Sequence, residues 1–121
     1  MAPRVHRPLE NQEFDFVVGM ARGPVLAYFV GSWPKAVGAA KVMDGLVADL
    51  AEEYGARLTA VRADITRCPA PVRRYEVTGS PTVVLLHGGG EPGEARAGEE
   101  LARHEGPLTH EEFRAFLEPH L

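Results

Sequence analysis

Val77-Thr78-Gly79-Ser80-Pro81-Thr82-Val83-Val84-Leu85-Leu86 is the stretch on which the fold turns. Glycine and proline punctuate whatever precedes them, and the run that follows is apolar, so Thr82 to His87 reads as a strand. Upstream, Val25-Leu26-Ala27-Tyr28-Phe29-Val30 is apolar throughout between Pro24 and Gly31, as a central strand buried on both faces requires. Leu58 to Ala63 reads as a further strand and Leu101 to His104 as a last short one. Arg4 to Leu9 alternates enough for an edge strand, the only place that tolerates Pro3 and Pro8.

Helical spacing fills the gaps. Glu10 to Ala21 carries Phe14, Val17, Val18 and Met20 before the stop Arg22-Gly23-Pro24. Val37 to Tyr54 repeats Met43, Leu46, Val47, Leu50 and Tyr54 on one face, with Asp44, Glu52 and Glu53 on the other and Gly45 as an expected weak point or bend. Pro69 to Tyr75 is a short helix or turn. Thr109-His110-Glu111-Glu112 has the form of a capping box and opens a final helix bearing Phe113, Phe116 and Leu117. The order is β-α-β-α-β-α-β-β-α, an α/β fold on a central mixed five-stranded sheet flanked by helices.

The chain of 121 residues is expected to form one domain, with residues 1–8 an edge strand or poorly ordered and residues 88–98 a flexible hairpin extension. A composition of 45% hydrophobic and 25% charged residues is that of a globular protein. The net charge of −4 lacks the basic footprint of a nucleic-acid or anionic-membrane binder. No apolar run reaches the ~20 residues that cross a bilayer, and the start lacks an apolar signal-peptide core, so a cytoplasmic location is expected.

These elements, in this order, resemble the thioredoxin family. Val25 to Phe29 is similar to its central strand, Trp33 to its active-site tryptophan, Leu46 to Tyr54 to its second helix, and Tyr75 to Leu86 to its cis-proline segment. The resemblance implies a cis bond at Ser80-Pro81 and a peptide groove of Trp33, Pro34, Ser80, Pro81 and Thr82, where the Ser80 main chain would meet an extended peptide as an added strand. It equally allows that Pro81 only shapes the hairpin and that Trp33 only packs over its loop.

The family's chemistry needs a Cys-x-x-Cys pair, and Cys68 is the single cysteine. One register treats Pro34 to Ala36 as an insertion and leaves a degenerate active-site segment of Val37, Gly38, Ala39 and Ala40. The other puts Pro34 and Val37 in the cysteine places. Tyr28 stands where the family keeps a buried acid, and Arg62 where it keeps a basic partner of that acid. No catalytic residue, cofactor or metal is expected. The preferred expectation is a redox-inactive protein- or peptide-binding, chaperone-like or assembly module.

Other chemistries have weaker footing. Cys68, beside Arg67 at the start of a helix, could hold a lowered thiol pKa and act through mixed disulfides as a single-thiol redox sensor. A peroxidase of the same superfamily needs a cysteine where Val37 or Pro34 stands. His87-Gly88-Gly89-Gly90 spells an esterase oxyanion motif, but the chain has no G-x-S-x-G nucleophile elbow. His6, His87, His104, His110 and His120 lack metal spacing, although His87 and His104 could face one another on neighbouring strands.

Overall fold

The computed structural model describes residues 5–31, 33–90 and 95–121. Its sheet has five strands: β1 (Val5–His6), β2 (Val25–Val30), β3 (Thr59–Asp64), β4 (Thr82–Leu86) and β5 (Glu100–Glu105). They lie in the order β1-β3-β2-β4-β5. β1, β3 and β2 run parallel, while β4 and β5 pair antiparallel. Every β2 residue is buried because helices cover both faces.

The pleat divides the core in two. Leu26, Tyr28 and Val30 face α2 (Pro34–Tyr54) and α4 (His110–Leu117), meeting Met43, Val47, Leu50, Phe113 and Leu117. Val25, Ala27 and Phe29 face α1 (Asn11–Met20) and the region of α3 (Pro69–Arg74), meeting Phe14, Val18, Cys68 and Tyr75. The adjacent parallel strands β2 and β3 therefore send their chains to opposite faces, which leaves a crevice beyond their carboxyl ends.

The expected extent of α2 is corrected at its start. Trp33 is the N-cap and Pro34 the first helical residue, so Pro34 to Ala36 are the helix's first turn and not a separate loop. Proline suits that position because its missing N–H would be unpaired anyway. Gly45 leaves the helix unbroken. The capping box of α4 is fully formed: the Glu112 N–H donates to Thr109 Oγ1 and the Thr109 N–H donates to Glu112 Oε1.

The expected 88–98 extension is hydrogen-bonded to the rest of the fold at both its ends. The Gly89 N–H donates to Val18 O and the Gly90 N–H to Ala21 O, both at 2.8 Å, which satisfies carbonyls at the end of α1. A Cβ on Gly88 would lie 2.4 Å from Gly23 O, and one on Gly89 would lie 2.2 Å from Gly19 O. Close approach of two backbones thus explains the His-Gly-Gly-Gly letters. The Gly98 N–H donates to His87 O at 2.7 Å, and its own carbonyl accepts from the Tyr75 hydroxyl at 2.6 Å. Glu91, Pro92, Gly93 and Glu94 lie outside the described residues.

Candidate functional site

The loops at the carboxyl end of β2 and before β4 bring together most of the expected groove. Ser80-Pro81 is cis. The Gly31 N–H, just past β2, donates to Ser80 Oγ at 2.9 Å, tying the two loops. The Trp33 ring lies so closely over Gly31 that a Cβ there would come within 2.0 Å of a ring carbon. Trp33 nonetheless stays 43% exposed, so it both roofs its loop and faces solvent. Pro34 and Val37 are exposed beside it on the first turns of α2.

Ser80 spends its hydroxyl oxygen on Gly31, and no hydrogen bond reaches its main-chain N–H or C=O among the described residues. Thr82 does not join this surface: it is buried, and its hydroxyl donates to Gly79 O at 2.8 Å, closing the turn before β4. Arg103 supports the same turn region from β5, with Nη1 donating to Tyr75 O at 2.6 Å and Nη2 to Glu76 O at 3.3 Å. Those bonds steady Glu76, which has the left-handed φ of 52° that side chains seldom adopt.

Beneath the first turns of α2 lie a buried phenol and an ion pair. The Tyr28 hydroxyl donates to Ala40 O at 3.1 Å, at the floor of the degenerate segment. The contact sets Tyr28 against Ala40, one of the residues read as the degenerate segment. Burial pushes the Tyr28 phenol above its ordinary value, the charge of Asp44 adds to this, and Arg62 opposes it. The Tyr28–Arg62 contact left open by the sequence does not form as a hydrogen bond. Arg62 Nε instead donates to Asp44 Oδ1 at 2.8 Å.

Asp44 was expected on the solvent side of α2 and is instead half-buried. The sequence held a signal for this that hydropathy alone missed. Asp44 follows buried Ala40 by four residues and precedes buried Val47 by three, so all three share a face. The charged pair beneath α2 thus joins an acid of α2 to a base of β3.

Cys68 corrects a second expectation. It is the residue that precedes α3, but its side chain is fully buried in the core under α1. Burial raises its thiol pKa, and Asp64, Glu13 and Asp15 push the same way. The lowered-pKa thiolate proposed for a redox sensor is therefore not what this site provides. The facing histidines fail as well, since His104 lies opposite Val83 while the His87 N–H donates to Glu99 O. Among the described residues no group of three or more His, Cys, Asp or Glu could hold a metal ion, and no helix is long and apolar enough to cross a membrane.

Comparison with known proteins agrees with this architecture. The thioredoxin family model matches residues 5–118. The chain is 28% identical over 113 residues to thioredoxin X, chloroplastic, of Arabidopsis thaliana, covering 93% of this chain and 56% of that protein. It is 30% identical over 81 residues to thioredoxin M2, chloroplastic, of the same plant, covering 67% of this chain and 42% of that protein. It is 26% identical over 113 residues to the thioredoxin of Acidithiobacillus ferridurans, covering 93% of this chain and 94% of that protein. The chain thus spans about half the length of the two plant relatives, whose chloroplastic names lend nothing to the cytoplasmic expectation. With a sheet, a cis-proline turn and a family match that coincide along its length, the chain belongs to the thioredoxin family.

Proposed function

We propose that this chain binds extended polypeptide at the surface formed by Trp33, Pro34, Ser80 and Pro81 and performs no dithiol exchange. The observation that carries the reading is the main chain of Ser80, whose N–H and C=O are left without partners among the described residues beside an exposed tryptophan. Unsatisfied backbone groups at a fixed, partly buried position are what strand addition uses. The thiols that would turn binding into electron transfer are missing, since the only cysteine is buried on the far face of the sheet.

Trp33 is the chain's only tryptophan, so its fluorescence reports on this surface directly. Titrating the protein with an unfolded, carboxymethylated polypeptide is expected to change Trp33 emission, and Ser80→Arg is expected to abolish the change with the fold intact by circular dichroism. Equal binding by Ser80→Arg and wild type would remove the surface from consideration. Insulin reduction is expected to stay at the uncatalysed rate.

A further inference from the structure

The crevice beyond β2 and β3 holds a cavity of about 290 Å³, lined by Gly31, Val37, Ala40, Lys41, Asp44, Arg62 and Asp64. It is near the lower end of small-ligand sites in size, and it occupies the switch point where open α/β sheets place their ligands. What it can bind follows from which of its polar groups are already engaged. Asp44 accepts from Arg62 Nε. Asp64 Oδ1 accepts from both the Thr66 N–H at 2.8 Å and the Thr66 hydroxyl at 2.5 Å.

The donors are less committed. Arg62 uses only Nε, and its Nη1 and Nη2 find no partner among the described residues although the side chain is only 24% exposed. Lys41 Nζ likewise has no partner among them. Nε is fixed by Asp44, so the guanidinium plane is held while its two outer nitrogens stay free. This is the arrangement that grips a carboxylate with two parallel bonds.

We propose that this cavity is a carboxylate-binding site, in which Arg62 Nη1 and Nη2 hold the two oxygens and Lys41 supplies a second cation. Two cations and two anions line the cavity, so its formal charge is balanced before a ligand enters. Any anion adds net negative charge there, and a singly charged carboxylate adds less than a phosphate dianion, which would face Asp44 and Asp64 with the larger excess. Gly31 lines the cavity and also bonds Ser80, so a carboxylate could come from a free small acid or from a Glu or Asp side chain of a polypeptide lying along the groove.

The test follows the Arg62 Nε–Hε and Gly31 amide resonances of the full chain by NMR. The probes are butyrate, inorganic phosphate, and the blocked pentapeptides Ac-Ala-Val-Glu-Val-Ala-NH2 and its Gln counterpart. At least one carboxylate probe is expected to shift both resonances, with the Gln peptide and phosphate about tenfold weaker or worse. Arg62→Lys keeps the charge without the paired donors and is expected to lose about tenfold for the carboxylate probes. Lys41→Gln, at an exposed position, is expected to weaken them with the fold intact. Binding by butyrate alone supports the cavity with a free acid as ligand and counts against the polypeptide groove. Tighter binding by the Glu peptide that Ser80→Arg removes supports the cavity with a partner's side chain as ligand. No shift of Arg62 by either carboxylate probe overturns the site, and the groove still stands if the Glu and Gln peptides then shift Gly31 equally.

Discussion

At Tyr28 a phenol is fully buried on the central strand, and its burial has local consequences. A carboxylate would need a proton or a cation at that depth, whereas a phenol needs only an acceptor, which Ala40 O supplies. Tyr28→Phe is expected to destabilise the chain by about 1–2 kcal/mol in urea denaturation, because it leaves the carbonyl one donor short. A change near zero would mean that the hydroxyl's bond merely replaces one to water. The neighbouring pair, Asp44 and Arg62, illustrates what sequence reading can miss. The acid belongs to a helix with several exposed carboxylates, and only its spacing from Ala40 and Val47 marks it as different. Cys68 was misread for the opposite reason. Its helix-start position and cationic neighbour were visible, but burial was not, and burial is the larger effect.

Among the elements, strands and helices were legible wherever apolar runs or helical repeats were long. β2 ends where the Val25–Val30 run ends, and Met43, Val47, Leu50 and Tyr54 do face the core. The start of α2 was not legible, because Pro34 reads as a breaker unless it is known to sit at the first helical position. The glycine run was read as slack, and it is instead a tight seam against α1. Two substitutions should separate these glycine roles. Gly89→Ala is expected to destabilise by about 1–3 kcal/mol, since its methyl would overlap Gly19 O. Gly45→Ala meets nothing within 4 Å inside α2 and is expected to stabilise by about 0.5–1 kcal/mol. Thermal denaturation of the pair checks both signs, and matching effects would refute the packing argument.

For the whole molecule, the titratable groups held above their ordinary values share one direction. Burial raises Cys68, Tyr28, Tyr54 and Tyr75, so the native chain keeps protons that the unfolded chain releases. Their contribution to stability is whole below the ordinary thiol value of about 8.5 and is lost as pH rises past it and then past about 10. Each group withheld from ionising adds a slope of up to about 1.4 kcal/mol per pH unit. Melting temperature is therefore expected to fall on the alkaline side, and Cys68→Ala is expected to flatten the first part of that fall. An unchanged profile in Cys68→Ala would show that the thiol ionises as freely folded as unfolded.

The first turn of α2, formed by Pro34, Lys35 and Ala36, has one more consequence, for whether a pair of thiols could work at positions 37 and 40. The Val37 N–H is already bonded to Trp33 O, so a sulfur at position 37 would no longer meet the open amides that begin a helix and favour a thiolate. Two point changes that install a C-x-x-C pair, Val37→Cys with Ala40→Cys, are accordingly expected to give little insulin reduction. Excising residues 34–36 in the same background should raise the rate markedly. Full turnover from the two changes alone would contradict this. Dithiol chemistry at this end of the sheet is thus limited by where the helix begins as well as by which side chains it carries.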